Sequence, residues 1–156
     1  MLKVELLIGK ILVAVDGSQN SDRALDFALD IAEKHGAALT VLNVSEPPAI
    51  GAVPMEPTAV SGESMVMFGK DLLRFHEEIL RKAVAHAKSV KPEISVSTKL
   101  CEGNPVLEIV SFAKEEGVDL VVVGHQGVGR VKEFFGLGGI SEKVAHLAPC
   151  SVVIVR

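Results

Sequence analysis

The residues with the clearest chemical potential form a glycine-rich segment that follows a short apolar run, Leu120 to Val123. Six glycines fall within the sixteen residues 124–139. They are Gly124, Gly127, Gly129, Gly136, Gly138 and Gly139. Glycine-rich turns let backbone N–H groups approach phosphate oxygens closely, and a helix that begins near Ile140 would add about half a positive charge. The segment therefore has the pattern of a phosphate-binding loop.

A second candidate is Asp16, which ends the apolar run Lys10 to Asp16. Its carboxylate could accept hydrogen bonds from a ribose hydroxyl, or it could cap the loop that it begins. The same choice applies to His125, which is either a phosphate contact or an ordinary loop histidine. Glycine also serves tight turns and close packing, so the residues alone leave both interpretations of the segment open.

Short apolar runs alternate with helical patterns along the chain. The runs are Lys10 to Asp16, Leu39 to Val44, Ile94 to Cys101, Leu120 to Val123 and Ser151 to Val155. Helical spacing covers Ala24 to Ala32, with Ser18 or Ser21 as its cap and Gly36 as its end, and then about residues 69–90, 104–116 and 139–147. This alternation predicts right-handed βαβ units and a mainly parallel sheet with helices on both faces.

One segment, from Ser45 to about residue 68, breaks the alternation. It contains four prolines, two glycines and no sustained periodicity. Loops longer than about 12 to 15 residues in a compact domain are usually lids, binding loops or disordered. We expect a long irregular loop that is a mobile connection, a ligand lid or a partner-docking loop. The apolar group at residues 65–68 is either a docking surface or part of the core.

The composition is typical of one soluble domain. The chain has 156 residues, of which 48% are apolar and 23% charged, with a formal net charge of -4. No apolar run approaches the roughly 20 residues of a transmembrane helix, and no signal-peptide pattern occurs, so we expect a cytoplasmic protein without a membrane partner. The acidic balance argues against nucleic acid as a partner. Cys101 and Cys150 are expected to be reduced, buried thiols, and no His or Cys spacing indicates a metal site.

Three stretches resemble the universal stress protein family, in the expected order. They are ILVAVDGSQNSDRALDFALDIAEKHGAALTVLNV, GNPVLEIVSFAKEEGVDLVVVG and ISEKVAHLAPCSVVIV. The resemblance implies a single three-layer α/β domain over residues 1–156. Its five-stranded parallel sheet would have the order 3-2-1-4-5, as in adenine nucleotide alpha hydrolase-like folds. Ligands of such sheets bind outside the carboxyl ends of the strands where the order switches, here between strands one and four.

The glycine segment matches half of the motif of ATP-binding members, which is Gly, two residues, Gly, nine residues, Gly, then Ser or Thr. Gly124 and Gly127 match its first half. The following spacer has ten residues, and Gly139 stands where the motif has a hydroxyl. A hydrogen bond to a charged group contributes roughly 1.5 to 3 kcal/mol, so its loss weakens ATP binding about tenfold to a hundredfold. The backbone N–H groups remain, and Ser141 offers a nearby hydroxyl.

The resemblance also assigns roles to residues. Ala14 and Asp16 would line the nucleotide site, and the backbone of Val44 would meet the adenine edge. Ribose and phosphates would be surrounded by Gly124, His125, Gln126, Gly127, Gly138, Gly139, Ile140 and Ser141. The implied ligand is ATP, or ADP or AMP, with or without Mg²⁺. A homodimer is implied through the last strand, at Val152, Val153, Ile154 and Val155, because an apolar edge strand needs a partner to cover it.

Two functions follow from these observations. The first is an adenine-nucleotide-binding regulatory module of the stress response with little or no hydrolysis, because no nucleophile and base pair, Walker A lysine or carboxylate cluster is evident. The second is a dimeric scaffold that does not depend on nucleotide and whose site has decayed. A phospho-receiver domain is excluded, because Cys101 with Glu102 and Arg156 stand where its Asp and Lys would be.

Overall fold

A computed structural model describes residues 7–47, 62–125 and 138–156. Its elements follow in chain order. They are β1 (Lys10–Ala14), α1 (Gln19–His35), β2 (Ala38–Ser45), α2 (Gly62–Val90), β3 (Val96–Glu102), α3 (Pro105–Glu116), β4 (Leu120–Gly124), α4 (Ile140–Leu147) and β5 (Ser151–Val155). Every pair of neighbouring strands is parallel, and their order is β3-β2-β1-β4-β5. The predicted fold class and strand order are confirmed.

The apolar runs form strands because both faces of the sheet are covered, which is the usual environment of a parallel sheet. Ile11 and Val13 of β1 pack in a buried cluster with α1 and α2. Leu12, between them in sequence, packs in a second cluster with α3 and α4. Successive side chains of a strand point to opposite faces, so a continuous apolar run fills both clusters. The result is three layers, with the sheet in the middle.

The helix ends follow from capping residues that the sequence analysis identified in part. Ser18 is the N-cap of α1, and its hydroxyl accepts a hydrogen bond from the Ser21 N–H. Asn104 caps α3 by accepting from the N–H groups of Val106 and Leu107, with Pro105 as the first helical residue. These side chains satisfy N–H groups that have no partner inside the helix.

Helix α2 begins at Gly62 and not at the predicted residue 69, so the carboxyl-terminal part of the predicted loop is helical. Its buried residues, Leu80, Ala83 and Ala87, all lie in the second half of the helix. The side chains at residues 65–68 are 58 to 66% exposed, which excludes the core interpretation of this apolar group. Residues 48–61, the middle of the predicted loop, lie outside the described residues.

Three smaller expectations were also wrong. Strand β1 ends at Ala14 and not at Asp16, because the Asp16 N–H donates to the Ser21 hydroxyl. Strand β3 begins at Val96, because the Ile94 N–H donates to the Lys91 carbonyl in a turn. Cys101 and Cys150 are free thiols, but they are half-buried instead of buried. Partial burial raises the pKa of both thiols, which keeps them protonated. Within the described ranges, no helix combines the length and apolar character needed to cross a bilayer.

Asp119 fastens the start of β1 to the turn before β4. Its Oδ2 accepts hydrogen bonds from the N–H groups of Gly9 and Lys10, both at 2.9 Å, and these bonds hold the pKa of the carboxyl below its usual value. A depressed pKa in the folded state stabilises the protein above the unfolded pKa of about 3.9, and this stabilisation disappears as the pH falls through the folded value.

We therefore predict that Asp119→Ala lowers the free energy of unfolding at pH 7 and that the difference from wild type shrinks below about pH 4. Urea denaturation at a series of pH values measures this difference. Glu115→Ala, which removes an exposed carboxylate nearby, is the control and should leave stability almost unchanged. A pH-independent loss in Asp119→Ala would contradict the role of its charge.

Candidate functional site

The order of the strands switches direction at β1, which lies between β2 and β4. The chain leaves β1 toward α1 on one face of the sheet, whereas the chain after β4 leads to α4, which packs on the other face. A crevice opens where two such connections diverge, outside the carboxyl ends of the strands. Asp16, which follows β1, and Gly124, which ends β4, both lie at this edge.

Asp16 is half-buried and organises the turn between β1 and α1. Its Oδ1 accepts a hydrogen bond of 2.9 Å from the Ser18 N–H, while its own N–H donates to the Ser21 hydroxyl at 3.3 Å. The loop-capping role is thus confirmed for one carboxylate oxygen. A carboxylate has about four lone-pair sites, so capping and contact with a ribose hydroxyl are compatible.

Gly124 has a packing role that the sequence analysis did not foresee. A Cβ atom at this position would lie 2.8 Å from both the carbonyl carbon and the carbonyl oxygen of Asn20. The end of β4 therefore packs directly on the backbone of the first turn of α1. A side chain has no room there, and the absence of a Cβ brings α1 to the edge of the crevice.

The next residue, His125, is held on both sides. Its N–H donates to the Val155 carbonyl at 2.7 Å, and its carbonyl accepts a hydrogen bond of 3.0 Å from the Ser141 hydroxyl. Ser141 is 4% exposed. The hydroxyl that the sequence offered as a replacement phosphate donor thus uses its proton to fasten the first turn of α4 to the end of β4.

The N-terminus of α4 lies at the same edge of the sheet, because α4 precedes the parallel strand β5. Its N-cap, Gly139, provides no side-chain hydrogen bond to the first turn. Gly138, with a φ of 63°, lies beside Glu142, whose Oε2 is 2.7 Å from the place of a Cβ at Gly138. The first turn therefore combines backbone donors for an anion with a carboxylate that would compete for them.

Val44 presents its backbone to the opening beside β1. The Leu39 N–H and the Ser45 carbonyl make hydrogen bonds on the β3 side of β2, whereas the Leu42 carbonyl accepts from Val15 on the β1 side. The direction alternates along a strand, so the N–H and carbonyl of Val44 point to the β1 side. Ala14 is the last residue of β1 that pairs with β2, and it is paired with Leu42. Val44 thus lies beyond the end of β1.

Sequence reasoning missed two polar residues behind this edge. Asn43 is 2% exposed, and its Nδ2 donates to the Val15 carbonyl at 2.7 Å. The Nδ1 of His76, on α2, lies 2.6 Å from the Oδ1 of Asn43. The available signal was a single Asn within the apolar run LTVLNV, since buried polar side chains are normally hydrogen-bonded.

The remaining predicted residues are placed only in part. Gln126, Gly127 and the ten-residue spacer lie outside the described residues. Ala14, Gly138 and Gly139 are half-buried and Ile140 is exposed at the crevice edge. Strand β5 is an outer strand of the sheet, and Val152 to Val155 are half-buried. Across the described ranges, no group of three or more His, Cys, Asp or Glu side chains could hold a metal ion.

Comparisons with known proteins identify relatives over nearly the whole chain. The model of the universal stress protein family matches residues 8–156. Universal stress protein YxiE of Bacillus subtilis is 33% identical over 155 residues, which cover 96% of this chain and 100% of that protein. Among solved structures, UspA of Lactobacillus plantarum has a TM-score of 0.73 at 25% identity, covering 96% and 98% of the two chains. A universal stress protein in complex with cAMP has a TM-score of 0.71 at 26% identity, with the same coverage.

The close approach at Gly124 yields a prediction. Gly124→Ala should lower the free energy of unfolding by about 1 to 3 kcal/mol, because a rigid backbone carbonyl must move to admit the methyl group. Gly69→Ala is the matched control, because it adds a methyl group in open space within α2 and should raise stability by roughly 0.5 to 1 kcal/mol. Chemical denaturation measures the change in the free energy of unfolding of each variant. The same change in both variants would contradict the packing role of Gly124.

Proposed function

This chain is a member of the universal stress protein family, and we propose that it is a regulatory protein that binds an adenine nucleotide, with ATP as the first candidate, between the ends of β1 and β4. One observation carries the proposal: the backbone of Val44 faces an opening beyond the end of β1, at the edge that also holds the N-terminus of α4. The relative of similar fold that was solved in complex with cAMP supports an adenine nucleotide as the ligand.

The Val44 backbone is suited to the adenine ring. Adenine carries an acceptor nitrogen beside its exocyclic amino group, so one N–H and one carbonyl of the same residue can bind both. A backbone pair reads this edge without a charged side chain. In the proposed complex the ring lies against β2, with the small side chain of Ala14 at the end of β1 leaving room for it.

The ribose and the phosphates occupy the rest of the crevice in this proposal. Asp16 accepts from a ribose hydroxyl, while its Oδ1 keeps the hydrogen bond from the Ser18 N–H. The phosphates lie at Gly138 to Ser141, where backbone N–H groups and the helix dipole favour negative charge. Gly124 and His125 lie on the β4 side of the crevice, and the contacts expected from Gln126 and Gly127 remain a prediction from the family motif. Mg²⁺, when present, is carried by the phosphates.

The proposed role is regulation and not catalysis. Between the ends of β1 and β4, the hydrogen bonds of Asp16 with Ser18 and of Ser141 with His125 hold turns. No pair of described side chains there joins a nucleophile to a base, so we expect hydrolysis to be slow or absent. The cytoplasmic location expected from the sequence remains a prediction.

A nucleotide-independent scaffold is the second candidate, and a specific observation favours it. Glu142 lies against Gly138 at the proposed phosphate position, and Gly139 lacks the hydroxyl of the family motif. Both features weaken phosphate binding. The two candidates therefore differ in one measurable quantity, the affinity for ATP.

We predict that the nucleotide-free protein binds ATP, in the presence of Mg²⁺, with a micromolar dissociation constant. Asp16→Ala should weaken this binding about tenfold or more. Isothermal titration calorimetry measures both constants. Asp22→Ala, which removes an exposed carboxylate from the first turn of α1, should bind like wild type. The absence of heat up to millimolar ATP in the wild type would contradict the nucleotide proposal and favour the scaffold.

Glu142 provides a second test of where the phosphates lie. Glu142→Gln removes a negative charge next to Gly138, where it would compete with the phosphates. We expect this variant to bind ATP severalfold more tightly, because the interaction of one charge with a helix N-terminus contributes about 0.3 to 1 kcal/mol. Binding of adenosine, which has no phosphate, should not change. Equal effects on the binding of ATP and adenosine would contradict the placement of the phosphates at the N-terminus of α4.

We also propose that two copies pair through β5. The His125 N–H donates to the Val155 carbonyl on the β4 side. Backbone groups alternate in direction along the strand, so Val152 and Ile154 point theirs to the outer side. An apolar outer strand of this kind is a template for pairing with a second copy.

Ile154→Pro removes an outward N–H while leaving the hydrogen bonds to β4 in place, which edge strands tolerate. We expect this variant to be monomeric at concentrations where wild type and Ile154→Val are dimeric, as measured by sedimentation equilibrium. A dimer that is equally stable in Ile154→Pro would contradict pairing through the backbone of β5.

A further inference from the structure

Helix α2 is connected to the turn between β1 and α1 at two places, once directly and once through a side chain of β2. The Ile79 side chain lies against Gly17, where a Cβ would be 3.3 Å from its Cγ1, and Gly17 has a φ of 81°. Three residues earlier on the helix, His76 reaches the same turn through Asn43, which holds the Val15 carbonyl. Ile79 thus contacts the turn of residues 15–17 directly on one side of Asp16, and His76 supports the other side through Asn43 of β2.

The donor and acceptor groups determine where the protons lie in the two hydrogen bonds that join His76, Asn43 and Val15. The Val15 carbonyl can only accept, so the group of Asn43 that faces it is the amide Nδ2. The Asn43 Oδ1 then faces His76 and can only accept, so the Nδ1 of His76 carries a proton. Burial lowers the pKa of His76, which keeps this imidazole neutral at pH 7. One tautomer with a defined donor direction results.

The bond to Val15 lies where β1 leaves β2. The Val15 N–H still donates to the Leu42 carbonyl, but the strand pairing has ended one residue earlier. The Asn43 side chain takes the place of a strand neighbour for the Val15 carbonyl, which belongs to the peptide group that joins Val15 to Asp16. The orientation of that peptide group sets the position of the Asp16 backbone, and thereby the position of its carboxylate.

We propose that His76 is a positioning residue: through Asn43 it holds the Val15–Asp16 peptide, and α2 thereby sets the position of Asp16 in the nucleotide site. The second half of this statement rests on the proposed nucleotide function. Because coupling is reciprocal, a nucleotide that binds Asp16 also stabilises the position of α2. Asn43 and His76 are 33 residues apart in the sequence, so this bond couples α2 to a turn that lies far from it along the chain.

The test uses His76→Phe, which keeps an aromatic ring of similar shape but deletes the Nδ1–H donor. His86→Phe is the matched control on the same helix, because the His86 Nε2 lies 2.5 Å from the Asp26 Oδ1 of α1, ten residues beyond His76. His76→Asn is the conservative variant, since an Asn amide N–H occupies nearly the place of the Nδ1–H. All three are compared with wild type in the full chain.

The first measurement needs no nucleotide. Amide hydrogen exchange by NMR follows the Ser18 N–H, which donates to Asp16, and the Ala28 N–H in the middle of α1 as a report of global stability. His76→Phe should accelerate exchange at Ser18 about five- to tenfold more than at Ala28, as expected for one lost hydrogen bond. His86→Phe should show no such difference, and His76→Asn should restore protection. Equal acceleration at Ser18 and Ala28 would overturn the proposal, because it would reveal only general destabilisation.

The second measurement is the ATP dissociation constant of the same proteins. His76→Phe should weaken binding about five- to tenfold, whereas His76→Asn and His86→Phe should bind like wild type. Unchanged affinity in His76→Phe, with a wild type that binds, would overturn the link to the nucleotide site. A wild type that does not bind would instead refute the proposed function, and the exchange at Ser18 would still decide whether His76 holds the turn.

Discussion

The arrangement depends on the departure of β1 from the sheet after Ala14, while β2 continues to Ser45. A neighbour that ends early leaves backbone donors and acceptors of the longer strand facing open space, and these groups require partners. Where β1 departs, the Asn43 side chain provides a partner for the Val15 carbonyl. Beyond that point, the backbone of Val44 faces the crevice. One strand end therefore creates both the proposed adenine position and the need for the bonds that hold Asp16.

The geometry of the candidate site also depends on the close contacts around the end of β4. Gly124 packs on the backbone of Asn20, and His125 is bonded to both Val155 and Ser141. These contacts bring the first turns of α1 and α4 to the same edge of the sheet. In the proposed complex, turns held in place in this way would lose less entropy when a nucleotide binds, which would offset part of the contribution of the hydroxyl that Gly139 lacks.

Much of this fold could be predicted, because its signals are local. A strand such as ILVA is apolar on both faces, and helices that begin at Ser18 or Asn104 carry their caps in the sequence. Residues 62–68 were misjudged because their apolar side chains serve no described core, so they show no one-sided periodicity. The pairing of His76 with Asn43, the contact between Gly124 and Asn20 and the use of the Ser141 proton are long-range contacts. No spacing rule predicts them.

The central claim is that an adenine ring meets the Val44 backbone, and NMR titration of ¹⁵N-labelled protein with ATP tests it most directly. We predict that saturating ATP produces one of the largest amide shifts at Val44, together with shifts at Gly139 to Ser141. The Leu39 amide, which donates to the Ser95 carbonyl near the other end of β2, should remain unchanged. Saturation that leaves Val44 unchanged, or shifts that cluster around Leu39, would contradict the account.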